Sequence, residues 1–408
     1  MLMAVFKSRR TLVYAGLAVL FMVIAGSLLA VKFHGPTPSS DARTETMTAT
    51  QVVTTYGISE ESPSSSIAKQ VASMSLEEKV GQMMMIGFEG KSINISLKNM
   101  IANDHIGNVI LFGPNIDSDQ QVAALDVSLQ QLAVADKQPA QLMIATDQEG
   151  GKIRRLADIG PQYSEPVIGS MGIVSGTAYL QQSASEAARQ LKQLGVNTDL
   201  APVADVLSGN KSIMIDRSFG NDPRLVSELT GTAVKSFNQE KLISCVKHFP
   251  GLGSVVTDPE EVLPTIASDK STIDSQDLPP FTEAIKDGAP MVMITHVAVP
   301  ALDSSMTPAS LSRPIITDLL RNQLGFKGVI ITDDLEMGAI SIEPGEAAVS
   351  AIAAGADMVM FAHTPQKQQQ AYDAIVAAVK SGRLSEEIIN ASVMRILQMK
   401  QSFGLDQL

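Results

Sequence analysis

Leu242-Ile243-Ser244-Cys245-Val246-Lys247-His248-Phe249-Pro250-Gly251-Leu252-Gly253 is the stretch on which the reading of this chain turns. The apolar run Leu242 to Val246 has the length and composition of a buried strand, and the Pro/Gly cluster ends it abruptly. Lys247 and His248 stand at that end. Two polar side chains closing a buried strand are costly unless they point into a site. An acidic loop follows, with Asp258, Glu260 and Glu261.

Working outward, the same kind of apolar run recurs along the chain. The runs are Met83–Phe88, Asn108–Phe112, Leu142–Asp147, Thr198–Val203, Ile243–Phe249, Pro290–Val297, Val329–Asp334 and Met358–Ala362. Most are rich in Val, Ile, Leu and Met, as strands buried on both faces are. Amphipathic stretches separate them: Gln120–Ala135, Ala178–Leu194, Leu225–Glu240, Pro280–Lys286, Pro314–Gln323, Glu346–Ala354 and Gln366–Lys380. Strands alternating with helices imply βαβ units and a parallel sheet. The expected fold is α/β, a (β/α)8 TIM barrel forming one domain over residues 67–408. Ser75 and Glu78 have the spacing of a capping box at an early helix start.

In such barrels the site lies at the carboxyl ends of the strands. Here those ends carry Asp147, Asp205, Lys247-His248, His296, Asp333-Asp334 and His363. Asp147-Gln148-Glu149-Gly150-Gly151 adds two glycines, which let the backbone turn tightly near a ligand. Arg155 follows it, and Arg217 lies in Arg217-Ser218-Phe219-Gly220 after the fourth run. Adjacent strand residues point opposite ways, so one of Asp333 and Asp334 faces the barrel mouth and the other makes structural hydrogen bonds. The methionines within the runs read as gap-filling core, and Cys245 as a packed core thiol. His296 and His363 read as satisfied core histidines.

The 408 residues are 45% hydrophobic and carry a formal net charge of -12, a balance that excludes nucleic acid as a partner. With one cysteine there is no disulfide framework and no Cys-based metal site. The five histidines are scattered without metal-ligand spacing, and no phosphate-cradling or dinucleotide fingerprint is present, so neither metal nor cofactor is expected. There is no Trp, which favours a short substrate site over a long cleft.

The amino-terminal part is of another kind. Residues 1–10 include Lys7, Arg9 and Arg10. The uncharged apolar segment 11–31 follows, about 20 residues long and enough to span a bilayer. Positive charge before it places residues 1–10 in the cytoplasm and the remainder outside. A single-pass signal anchor in the cell membrane is expected; a cleaved signal peptide, with Ala25-Gly26-Ser27 as its site, is the alternative. Residues 32–66, rich in Ser, Thr and Pro, read as a disordered linker.

Carboxylates with Lys, His and Arg around a barrel mouth suit a hydroxyl-rich sugar, and paired carboxylates cleave glycosidic bonds. Lys247-His248-Phe249-Pro250-Gly251-x-Gly, Asp147-Gln148-Glu149-Gly150-Gly151, Arg217-Ser218-Phe219-Gly220, Leu200-Ala201-Pro202-Val203 and Thr332-Asp333-Asp334-Leu335-x-Met337, in this order of strand ends, together resemble glycoside hydrolase family 3. The resemblance is to its single-domain bacterial β-N-acetylglucosaminidases and covers about Ile67 to Leu405. It implies a retaining mechanism without cofactor, with Asp333 as nucleophile. It implies that Asp147 holds sugar hydroxyls and that Arg155, Arg217, Lys247 and His248 complete the sugar pocket. The implied substrate is a glycan with terminal β-linked N-acetylglucosamine, from peptidoglycan fragments, taken by a monomeric barrel.

One departure from the pattern stands out. The family branch places Asp-Ser-His in the loop after the Pro-Gly turn, and that Asp-His pair is its acid/base. Here the positions hold Asp258, Pro259 and Glu260. Three readings remain open: Glu260, with Asp258 beside it, serves as a carboxylic acid/base; Glu261 serves instead; or the acid/base is lost and the protein binds sugar without cutting it. A β-glucosidase or β-xylosidase is a further alternative. Many such members take their acid/base from a second domain, for which the residues after the barrel leave no room.

Overall fold

Eight strands form where the apolar runs lie: β1 (Met84–Ile86), β2 (Asn108–Leu111), β3 (Met143–Thr146), β4 (Thr198–Asp199), β5 (Ile243–Phe249), β6 (Met291–Ile294), β7 (Val329–Asp334) and β8 (Met358–Phe361). In the computed structural model each pairs in parallel with its sequence neighbours, and β8 pairs with β1 to close a barrel. The expected TIM barrel is therefore present. The structure describes residues 63–406 apart from Asp158 and Gln162, so the expected membrane segment 11–31 lies outside the described residues. Among the described residues no helix is long and apolar enough to cross a membrane.

The longest strand is β5, buried along its whole length with Cys245 sealed in the core. Its register, Cys245 opposite Met291 and Val246 opposite Val292, continues into β7 as Met291 opposite Val329. The methionines of the apolar runs, Met83, Met84, Met85, Met291, Met293, Met358 and Met360, are all buried, as gap-filling core requires, Met83 lying just ahead of β1. The fourth strand is shorter than its apolar run. Pro202 has no N–H for a ladder. Contact with β5 instead resumes through Cys245 N–H to Ala201 O (2.9 Å), Lys247 N–H to Pro202 O (3.1 Å) and a bridge between Val203 and Lys247.

The seven amphipathic stretches appear as helices Asp119–Asp136, Gly172–Gln193, Pro223–Gln239, Pro279–Lys286, Pro314–Gln323, Pro344–Ala354 and Pro365–Lys380. The capping box forms as well: Glu78 N–H donates to Ser75 Oγ (3.2 Å) and Ser75 N–H to Glu78 Oε2 (2.7 Å). The first described helix, Pro63–Ser73, starts ahead of the boundary expected at Ile67. A proline suits the first helical position because its missing N–H would be unpaired there anyway. This helix packs on Glu386–Ser402, whose Lys400 is fully buried.

Lys400 Nζ donates to Gln82 Oε1 (2.9 Å) and Gly107 O (3.0 Å), near the amino-terminal ends of β1 and β2. Burial brings its ammonium down to about 7. From about pH 7 to pH 9 the unfolded chain keeps a proton that the folded chain has released, so stability rises with pH there. Urea unfolding of the wild type and Lys400→Met at both ends of that window should show the wild type gaining up to about 1.4 kcal/mol per pH unit relative to the variant. A difference independent of pH would contradict this.

Candidate active site

At the carboxyl ends of the strands the barrel opens into a cavity of about 260 Å³. All eight site residues read from the sequence line it: Asp147, Arg155, Arg217, Lys247, His248, Asp258, Glu260 and Asp333. They arrive from the ends of β3, β5 and β7 and from the loops after β3, β4 and β5. Glu261 is not among the lining residues.

One wall is a buried charge cluster. Lys247 Nζ sits 2.7 Å from Asp147 Oδ1 and 2.7 Å from Glu149 Oε1. Arg217 donates twice to Glu149, Nε to Oε2 (2.8 Å) and Nη2 to Oε1 (2.6 Å). Burial alone would push Glu149 up, but Lys247 and Arg217 outweigh it and bring its carboxyl down to about 2. Burial would likewise lower Lys247, yet Asp147 and Glu149 raise it above its ordinary value. Both bases therefore stay charged in low dielectric because each has a carboxylate within hydrogen-bond distance. Arg155 Nη2 lies 3.5 Å from Asp147 Oδ2, at the more open edge.

Glu149 is aimed by a small antiparallel hairpin, Gln148–Gly150 against Ile153–Arg154. Gly151 at its turn has φ 52°, and a Cβ there would lie 2.6 Å from Ser164 Cβ. Glycine is thus required both for the turn and for the close approach. Behind the hairpin Glu165 is buried, and burial with the nearby Glu149 charge raises it to about 8.

His248 is held from below. Its Nδ1 lies 2.7 Å from Asp205 Oδ2, while Asp205 Oδ1 accepts Leu252 N–H at 2.6 Å. One carboxylate thus fixes the imidazole and the Pro-Gly turn together. With Nδ1 donating to Asp205, Nε2 is left as the acceptor for Arg217 Nη2, 3.3 Å away.

The opposite wall holds the acids. Asp333 lines the cavity, its Oδ1 accepting Asp334 N–H (2.9 Å). Asp334 is buried and accepts the N–H groups of Glu336 and Ala362, both at 3.1 Å, which is the structural role expected of one member of the pair. Burial lifts Asp334 to about 7. His296 is a satisfied core histidine, its Nε2 donating to Asp334 O (2.8 Å) and its Nδ1 facing Ser310 Oγ (2.7 Å).

His363 corrects the expectation of a second core histidine. Its side chain is 64% exposed at the cavity mouth, 3.4 Å from Asp334 Oδ2 and stacked on Phe112 with centroids 5.2 Å apart. On the Asp258–Glu260 loop, Asp258 Oδ1 accepts Glu260 N–H (3.0 Å). Partial desolvation, then the charges of Asp333 and Asp258, raise the Glu260 carboxyl above the usual range.

The match to known proteins covers this whole region. Residues 75–399 fit the glycosyl hydrolase family 3 N-terminal domain. The chain belongs to glycosyl hydrolase family 3. Within the family it is 34% identical over 329 residues to beta-hexosaminidase A of Pseudoalteromonas piscicida, covering 74% of this chain and 54% of that protein. It is 32% identical over 294 residues to the beta-hexosaminidase of Xanthomonas oryzae pv. oryzae, covering 69% of this chain and 84% of that one. A solved family 3 beta-N-acetylglucosaminidase from Paenibacillus sp. str. FPU-7 superposes with TM-score 0.79 and 38% identity, over 82% of this chain and 64% of that one. The chain thus spans about half the length of the Pseudoalteromonas relative and under two thirds of the Paenibacillus one.

Two members of this family 3 site escaped the sequence reading. Glu149 stood inside a quoted motif, but only the fold brings it to Lys247 and Arg217. Phe112, with Arg155 centred 5.9 Å from its ring and His363 stacked on it, gave no signal beyond its place at a strand end. The charge cluster predicts its own sensitivity. Glu149→Gln leaves Lys247 and Arg217 short of a carboxylate and should cost about 3 kcal/mol in urea unfolding. A loss within about 0.5 kcal/mol, typical of surface changes, would show that the cluster is not coupled to stability.

Proposed function

We propose that this family 3 chain is a retaining exo-glycosidase that removes terminal β-linked N-acetylglucosamine. The observation that carries the reading is the arrangement of one small cavity with Asp333 and Glu260 on its acidic wall and Asp147, Arg155, Lys247, Arg217 and His248 on the other. Its volume, about 260 Å³, falls below the roughly 300–1,000 Å³ of pockets that take drug-sized ligands, which suits a single terminal sugar. The beta-hexosaminidase names of its relatives support the sugar class.

In the proposed first step a carboxylate oxygen of Asp333 attacks the anomeric carbon. The bond to the leaving oxygen breaks, and that oxygen takes the proton of Glu260. In the second step Glu260, now a carboxylate, accepts a proton from water. The water oxygen bonds to the anomeric carbon and the ester to Asp333 breaks. Asp333 also stabilises the cationic transition state by its charge. Asp258 keeps Glu260 oriented through its backbone and, with Asp333, favours its protonated form. Asp147, within reach of Lys247 and Arg155, accepts sugar hydroxyls. Outward placement on a membrane anchor, and with it peptidoglycan fragments as the substrate source, rests on the residue pattern of 7–31 and is part of the proposal.

A non-catalytic sugar binder is the second reading, favoured by the glutamate standing where the family branch has its histidine. Assays with β-N-acetylglucosaminide, β-glucoside and β-xyloside separate the readings: cleavage of the first alone supports the proposal, and cleavage of none supports the binder. Because Glu260 must be protonated to act, kcat/KM should fall as pH rises through its raised value. Glu260→Gln should lose at least roughly 100-fold on an alkyl β-N-acetylglucosaminide, spare the glycosylation step of a dinitrophenyl one, and abolish that alkaline limb. Equal loss on both substrates would remove Glu260 from the role.

A further inference from the structure

The loop that carries Glu260 is tied to three neighbours through its backbone. Val255 O accepts Ile213 N–H (3.0 Å) from the loop after β4. Pro264 O accepts Ala298 N–H and Ile266 N–H donates to Ala298 O, both at 2.9 Å, from the segment after β6. Between these anchors, Pro259 O accepts Ala339 N–H (3.0 Å) and Glu260 O accepts Gly338 N–H (2.9 Å). Gly338 and Ala339 belong to the turn that follows Asp333 and Asp334 at the end of β7. That turn is itself pinned, Leu335 N–H to Met360 O (3.0 Å) and Met337 N–H to Asp334 O (3.0 Å).

The approach at Gly338 leaves no room for a side chain. A Cβ there would lie 2.4 Å from Glu261 O and 2.7 Å from Glu260 O, both backbone atoms that cannot swing aside. Apart from the buried Val255, Pro259, Pro264 and Ile266, most of the loop is exposed, including Val256 and Val262. Side-chain packing therefore contributes little to its placement, and the backbone contacts decide it.

We propose that Gly338 is a positioning residue: its N–H and its missing side chain dock the acid loop onto the turn that follows Asp333 at the end of β7. The two carboxyl groups are then mounted on one connected piece of backbone, and their separation is preset before substrate arrives. A general acid works only within hydrogen-bond reach of the leaving oxygen, so a shift of about an ångström at Glu260 weakens proton donation while leaving attack by Asp333 intact. The proposal rests on the reading of Glu260 as the acid.

Gly338→Ala pushes the two chains apart at this contact. Its kcat/KM should fall roughly 100-fold on an alkyl β-N-acetylglucosaminide, whose leaving group needs a proton, and stay within about fivefold on a dinitrophenyl one. Equal losses on both, or none on either, would overturn the proposal. Amide exchange in the unmodified protein tests the docking even if the variant fails to fold. The Gly338 and Ala339 N–H groups should exchange at least roughly 100-fold more slowly than unbonded loop amides, and unprotected exchange would also overturn it. A wild type inactive on both glycosides would instead sink the catalytic reading, while the exchange measurement would still report on the docking.

Discussion

The structure depends most on a lysine ammonium buried at the end of a barrel strand. Lys247 has almost no solvent, so its charge must be met by protein groups or lost. Glu149 and Asp147 meet it from the segment after β3, and Arg217 reaches both oxygens of Glu149 from the loop after β4. Two loops that would otherwise be independent are thereby drawn onto β5. His248, the next residue, is locked in the same way by Asp205. This wall of the cavity is in this sense a continuation of the barrel core, built from paired polar groups where the core has apolar contacts.

The acidic wall follows another logic. Asp334 and His296 spend their hydrogen bonds on backbone and on Ser310, fixing the end of β7. Both carboxyl groups of the Asp333-Asp334 pair border the cavity, and Asp333 is the one not tied to the backbone of β8. Glu260 approaches from a mostly exposed loop, held by backbone contacts. The site therefore combines a buried, charge-paired wall with a carboxyl group carried on a loop held by backbone contacts. In proposing catalysis at this site, we assign ground-state binding to the first and proton transfer to the second.

Much of this was legible in the sequence, for identifiable reasons. Strands buried on both faces appear as unbroken apolar runs, so all eight barrel strands could be placed, and polar residues at their ends marked the cavity. The fourth run was overextended because its backbone departs from the regular ladder at Pro202, a tertiary detail. The helix from Pro63 began in a Ser-rich segment whose composition resembles a linker, although its proline was a start signal. Glu149 and His363 were misjudged or passed over because their roles come from partners far away in the chain, Lys247 and Arg217 for one and Phe112 for the other. No local pattern encodes such pairs.

The most direct test of the account is to trap the glycosyl-enzyme with a 2-deoxy-2-fluoro or otherwise slowly hydrolysed β-glycoside and map the labelled peptide. The account predicts a stoichiometric ester on Asp333. A label on Asp334 or Glu260, or full turnover of substrate with no covalent species under trapping conditions, would contradict it.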